Sequence, residues 1–331
     1  MAFAPGIQRA LRREQGFDLV RIHSLFLFPQ YAAWRYCRRT STPYIVSIHG
    51  ALDPYLRERG RFRKQLTAWA WQNEMLRCAS GVHVATEAEG VTVSEILPDL
   101  PLVTVPNGLD TRHFEGAHGG REFRRRFLAG HEGPVVLYLG RINFKKGLDT
   151  LLESFAVAVR EVTDARLLIV GPDDEGLQPA LEMQARRLGV SDGVTFIGPL
   201  HGPDRLSALA AAAAWVLPSH TENFGSAVIE AMAAGVPVIV SPEVNLAADI
   251  ETAEAGLVAP RTPTAFANET VRLLRDSGLQ SQLAYRGRRF ARRYDWSTVG
   301  PQLADAYREA VARGSHYSSD GRRLRRRNMS A

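Results

Sequence analysis

The chain has 331 residues, 45% of them hydrophobic, which suits two domains with cores of ordinary size. No apolar run approaches the length of a membrane span, the opening MAFAPGIQRALRREQG has no signal-peptide core, and Cys37 and Cys78 form neither a metal spacing nor a disulfide framework. These features exclude a membrane-spanning or disulfide-stapled secreted protein and predict a cytoplasmic one; much of the net charge of +6 could come from the basic tail GRRLRRR (321–327), read as a solvated, disordered end over 314–331 rather than a contact for nucleic acid or anionic lipid.

The first lobe is expected over 1–107. DLVRIHS (Asp18–Ser24) reads as a strand and Pro29–Arg39 as a helix. PYIVSIHG (Pro43–Gly50) reads as a buried strand ending in His-Gly. Phe62–Cys78 reads as helical, with Leu66, Trp69, Ala70, Asn73 and Leu76 near one face. GVHVAT (Gly81–Thr86), a helix from Glu87 to Ile96 and PLVTVPNG (Pro101–Gly108) complete it. Strands alternating with helices predict parallel βαβ units. The second lobe, 108–313, repeats the scheme with strands at Val135–Leu139, Arg166–Val170, Val194–Ile197, Trp215–Pro218, Val238–Val240 and Gly256–Val258. Helices such as Leu148–Arg160 and Gln178–Leu188 lie between them, and a helix Trp296–Ala312 follows the last strand. Six strands with intervening helices predict a complete Rossmann-like sheet, whose ligands bind beyond the carboxyl ends of the strands.

The densest chemistry lies in SHTENFGSAVIEAMAAGVPVIV (Ser219–Val240). It reads as a polar loop after a buried strand, then an Ala-rich helix, then another strand. Glu222 stands ahead of the helix, and Glu230 lies roughly 7 Å along the axis from a helix start near Gly225. Between them lie the backbone N–H groups of Phe224, Gly225 and Ser226, at the positive end of a helix. One acid therefore precedes an anion site and the other follows it. A nucleotide sugar has matching chemistry: sugar hydroxyls, diphosphate, ribose hydroxyls.

The string ENFGSAVIEAMAAGVPVIVS, with its Glu222–x7–Glu230 pair, resembles the signature of glycosyltransferase family 4, the retaining enzymes of GT-B fold. The resemblance covers roughly Asp18 to Ala312. It implies two Rossmann-like lobes facing a cleft, with the last helix crossing back onto the first lobe. It also implies a hexosyl transfer from a UDP- or GDP-linked sugar to a hydroxyl acceptor, with no metal and no other cofactor. In LYLGRINFKKGLDTLLESF (Leu137–Phe155) the family pattern Gly-Arg-x4-Lys-Gly matches Gly140, Arg141, Lys146 and Gly147. By that resemblance Arg141 and Lys146 bind the donor diphosphate, where two cations can neutralise it without a metal. Glu222, His49, Arg141 and Lys146 are the expected catalytic residues. Asn223, Phe224, Gly225, Ser226, Glu230 and Leu200, with Arg141 and Lys146, are the expected donor-binding residues.

The chain departs from the family in its opening: the usual first strand and Gly-rich loop are missing, so a shortened first lobe is expected. That feature keeps a non-catalytic nucleotide-sugar-binding or scaffolding subunit open as a second reading; a GT-B epimerase shares the cleft but not the Glu222–x7–Glu230 string. Asp53 is a candidate for the acceptor by proximity alone. The cluster Arg57, Arg59, Arg61, Arg63 and Lys64 reads as a solvated face, or as a contact for an anionic lipid-linked acceptor on the inner face of a membrane. The expected partners are thus a nucleotide sugar and a glycan or lipid-linked acceptor, with no nucleic acid. Asp173 and Asp174 in GPDDEG read as turn and capping residues; His83, His113, His201 and His220 have no ligand spacing.

Overall fold

The computed structural model describes residues 4–14, 16–57 and 61–315. The basic tail motif 321–327 and Arg59 lie outside them. The chain divides into one unit of Met1–Pro106 with Val299–Ala331 and another of Asn107–Thr298.

In the first unit, β1 (Val20–His23), β2 (Tyr44–Ser47), β3 (Gly81–Val84) and β4 (Leu102–Thr104) form a parallel sheet in sequential order. Every residue of β2 and β3 is buried, as a parallel sheet covered on both faces requires. Helix Phe28–Thr40 starts with a proline in its first turn, where no N–H is needed, and ends on Ser41 in a left-handed conformation. Helix Glu87–Ile96 starts beneath Thr86, whose hydroxyl accepts from Glu89 N. Trp34, Tyr44, Ile48, Met75 and Leu76 lie in the core these elements share.

One expectation fails here. The helix predicted over 62–78 is interrupted: Arg61–Thr67 is α, Ala68–Gln72 is a π turn, and Asn73–Arg77 is α again. A π turn winds wider than an α turn, so the face that reaches the core changes across it. Gln72, Met75 and Leu76 are buried, whereas Phe62, Leu66 and Trp69 stay 87%, 66% and 83% exposed. Gln72 is drawn inward because its side-chain oxygen accepts from Phe26 N, at a residue held at positive φ.

Helix Trp296–Arg313 enters the first unit at Val299. Val299 and Ala306 pack with Val105, Tyr307 Oη accepts from Arg21 at 2.7 Å, and Ser80 Oγ donates to Gly314 O at 2.8 Å.

The second unit holds β5 (Val135–Leu139), β6 (Arg166–Val170), β7 (Val194–Ile197), β8 (Ala214–Leu217), β9 (Val238–Val240) and β10 (Leu257–Val258). Their parallel order is β10-β9-β8-β5-β6-β7. The chain works outward from β5 through β6 to β7, then returns to β8 on the other side of β5. The connections from β5 and β8 therefore lead to opposite sides of the sheet, and the seam between these strands is where an open α/β sheet binds its ligand.

Asp295 closes this unit. Its carboxylate accepts from Thr111 N and Oγ1 and from Ser297 N and Oγ. The Ser297 and Thr111 bonds hold it well below the usual carboxylate range. A depressed carboxyl contributes stability above its unfolded value and loses that contribution as pH falls through the folded one. Asp295→Ala should cost roughly 2–3 kcal/mol at neutral pH. The loss should shrink as pH falls below about 4, the ordinary Asp value. Denaturant melts across pH check this; a gap that stays constant with pH refutes it.

Candidate active site

The loops after β5 and β8 are stitched together at the seam. Asn143 caps the short turn Phe144–Lys146, its side-chain oxygen accepting from Lys145 N. Gly147 then begins helix Leu148–Ala158 at φ +65°; a Cβ there would stand 1.9 Å from Pro218 O, so only glycine lets the loops approach this closely. Ser219 Oγ lies 2.8 Å from Lys145 O, and His220 N donates to the same oxygen at 2.7 Å. The loop after β9 adds a third tie, with Glu222 N donating to Glu243 O and Asn245 N donating to Glu222 O.

This stitching brings Lys146 and Glu222 together. Lys146 Nζ donates to Glu222 Oε2, and each side chain is only 14% exposed. Tyr138 lies beneath: its hydroxyl donates to Arg141 O at 2.6 Å, and burial, reinforced by the charge of Glu222, pushes its pKa above the phenol range. Arg141 itself is exposed and makes no ion pair among the described residues.

Helix Ser226–Ala234 starts beside Glu222. Gly225 occupies its N-cap at φ +78°, and no side chain caps it. Its first N–H groups therefore point out of the helix end with its partial positive charge. The uncapped helix end and the exposed Arg141 each offer donors to an anion, whereas the Lys146 ammonium is already paired with Glu222. Ser226 is exposed and Asn223 half-buried, but the Phe224 side chain is buried against Tyr294 at a ring separation of 5.4 Å. Only the backbone of Phe224 is left for a ligand. Glu230 is buried one helical turn and more along, where Arg205 donates to its Oε2. Burial raises the Glu230 pKa, and the Arg205 charge opposes that rise. Leu200 is half-buried beyond β7, two strands from the seam.

His49 lies in the first unit, in a group of its own. It follows β2 at φ +53°, a strained conformation for a side-chain-bearing residue. Glu89 braces it: one carboxylate oxygen accepts from Gly50 N at 2.6 Å and the other from Ala85 N at 2.7 Å. His49 Nε2 lies 2.9 Å from His23 Nδ1, with the rings nearly parallel. His83, buried behind them, has Nε2 2.7 Å from Val105 O and Nδ1 within reach of Ser47 Oγ and Arg21. A carbonyl accepts only, so His83 donates from Nε2. Burial holds its pKa down at about 4. His23 and His49 are also lowered, first by burial and then by the Arg21 charge.

Two of the other singled-out residues have structural partners. Asp173 accepts from Leu177 N and Gln178 N at the start of helix Gln178–Arg187, and Asp53 Oδ1 accepts from Tyr55 N. Among the described residues, no group of three or more His, Cys, Asp or Glu side chains is placed to hold a metal ion. Sequence reasoning missed Arg205, Arg21, Glu89 and His23. Only His23 left a signal: consecutive strands end in the matching strings RIHS and SIHG, and their pairing sets His23 opposite Ser47.

The pattern described as "Glycosyl transferases group 1" matches residues 120–290. The chain belongs to the group 1 glycosyl transferases. A second pattern, "Glycosyl transferase 4-like domain", matches 1–108 of this glycosyl transferase. It is 34% identical to a D-inositol 3-phosphate glycosyltransferase of Salinispora arenicola, over 96% of this chain and 75% of that one. It is 26% identical to the phosphatidyl-myo-inositol mannosyltransferase of Mycobacterium leprae, over 95% and 80%. HepE of Anabaena, solved with UDP and glucose, superposes with a TM-score of 0.80 at 21% identity, covering 91% of this chain and 81% of HepE. Sucrose-phosphate synthase of Thermosynechococcus elongatus gives 0.79 at 24% identity, over 92% and 76%. These likenesses show the fold class, GT-B with two parallel-sheet α/β domains. This glycosyl transferase is an enzyme, and neither the scaffold nor the epimerase reading is favoured.

Proposed function

We propose that this glycosyl transferase moves a hexosyl group from a nucleotide diphosphate sugar to a hydroxyl acceptor with retention of configuration. The observation that carries the proposal is the Lys146–Glu222 pair, at the seam of the sheet and beside the uncapped end of helix Ser226–Ala234. In this reading Arg141, Lys146 and the helix end take the diphosphate. Glu222, held by Lys146, faces the sugar hydroxyls, and Glu230 faces the ribose. Leu200 closes on the base. The bond from the anomeric carbon to the leaving phosphate oxygen breaks, and the acceptor oxygen bonds to that carbon on the same face. The acceptor proton passes to the leaving phosphate oxygen, so no protein nucleophile is required. His49 donates a hydrogen bond to the sugar or phosphate.

Support for the donor class comes from HepE, solved in complex with UDP and glucose and with UDP-glucose. Support for a polyol or lipid-linked acceptor comes from the likeness to a D-inositol 3-phosphate glycosyltransferase and a phosphatidyl-myo-inositol mannosyltransferase. The exposed stripe of Phe62, Leu66 and Trp69 near Lys64 suits peripheral contact with a membrane surface, and no described helix is long and apolar enough to cross one.

A panel of UDP-, GDP- and ADP-sugars tests the reading, first by thermal shift and then by donor hydrolysis, with and without EDTA. One donor class should raise the melting temperature and be turned over, and turnover should survive the chelator, because cations and a helix end already face the diphosphate. Loss of activity in EDTA with rescue by manganese refutes metal independence; no stabilisation by any nucleotide sugar refutes the donor assignment. Co-sedimentation with anionic vesicles, lost in a Trp69→Ser variant, checks the membrane contact in the same preparation.

A further inference from the structure

Arg205 enters no part of the reading so far, yet it is bonded to one of the two signature acids. It extends from the first turn of helix Gly202–Ala211, with its guanidinium 5.9 Å from the Phe114 ring centroid and its NH2 group donating to Glu230 Oε2. The Glu230 side chain is 9% exposed and the Arg205 side chain 33%. Of the carboxylate oxygens only Oε2 is engaged by Arg205. We propose that Arg205 is a positioning residue for donor binding: it fixes Glu230 through Oε2 and leaves Oε1 to accept the ribose hydroxyls. This rests on the reading of Glu230 as the ribose acid.

The physical case has two parts. A carboxylate on a helix has several rotamers, and a charge-assisted bond to one oxygen selects the rotamer that aims the other. A buried carboxylate also tends to take up a proton, and a protonated Glu230 is a poorer acceptor for two hydroxyls. Arg205 opposes that tendency. Among the described residues His113, on the turn Thr111–His113, is the other charged or titratable group acting on Glu230.

The test is calorimetric binding of UDP and GDP to the full chain, using whichever the wild type binds more tightly. Arg205→Ala should weaken binding about tenfold near neutral pH, and Arg205→Lys should recover most of it. The ratio of variant to wild-type Kd should widen as pH falls, because burial then favours protonation of Glu230 with no Arg205 charge to oppose it. That slope should persist with His113→Gln added. A purely structural role would not produce it. Inorganic pyrophosphate, which has no ribose, should bind Arg205→Ala and wild type alike. In a Glu230→Ala background Arg205→Ala should add no further loss. If Arg205→Ala loses pyrophosphate affinity by the same factor, Arg205 is a phosphate ligand and the inference is wrong. If Arg205→Ala matches wild type at every pH, or binds nucleotide more tightly, the inference is also wrong. If Glu230→Ala itself binds nucleotide like wild type, the underlying reading of Glu230 fails instead. Melting curves on each variant exclude misfolding, with Arg205→Gln as the replacement should the alanine variant be unstable.

Discussion

Glu222→Gln should lower kcat by about 10²–10³-fold, because charge develops on the transferred sugar beside this carboxylate in the transition state. The variant keeps the side chain's size, so the loop tied to Lys145 and Glu243 should stay in place. It removes the negative partner of Lys146. Donor KM should therefore change little, or fall, since the freed ammonium can turn wholly to the diphosphate. Glu230→Ala should behave in the opposite way. That residue sits within the helix, away from the Lys146–Glu222 pair, and is assigned to a part of the donor that does not react. Its loss should raise KM about tenfold with kcat nearly unchanged, the mark of uniform binding. Steady-state kinetics on both variants, with melting temperatures alongside, decide the matter. Equal KM effects with kcat intact in both would sink the division of roles while leaving the donor site standing. Falls in melting temperature with no kinetic distinction would make both acids structural.

The second large effect concerns the cations. Lys146→Ala should weaken nucleoside diphosphate binding by roughly 1.5–3 kcal/mol through loss of a charge-assisted bond. It should also leave Glu222 half-buried without its ion-pair partner, and removing one partner of such a pair costs more than removing both. A Lys146→Ala/Glu222→Gln double variant should therefore melt higher than Lys146→Ala alone while binding nucleotide no better. Arg141→Ala is the cleaner comparison. Arg141 is exposed and outside any ion pair among the described residues, so its loss should weaken the nucleotide without a stability cost. Nucleotide affinities like wild type in both single variants would refute the phosphate assignment.

The local sequence by itself determined the elements and the chemistry class. Continuous apolar runs such as VVLYL and RLLIV become buried strands because a parallel sheet is covered on both faces. Capping and glycine signals mark helix ends for reasons internal to the chain: Gly147 and Gly225 stand at left-handed positions that other residues resist. Strands alternating with helices predicted parallel α/β lobes, and the string from Glu222 to Gly235 carried the family and, through that resemblance, the GT-B fold. Tertiary structure decided which side chains meet. Lys146 and Glu222 are 76 residues apart, and they touch only because the strand order reverses between β5 and β8 and sets their two loops side by side. The Arg205–Glu230 pair spans 25 residues and depends on two helices packing beside each other, so no motif announces it. His23 and His49 meet because parallel register places consecutive strand ends in line. The helical face over 62–78 was misread for the complementary reason: apolar periodicity assumes uninterrupted 3.6-residue turns, and the π turn at Ala68–Gln72 redirects Met75 and Leu76 inward while Leu66 and Trp69 remain in solvent.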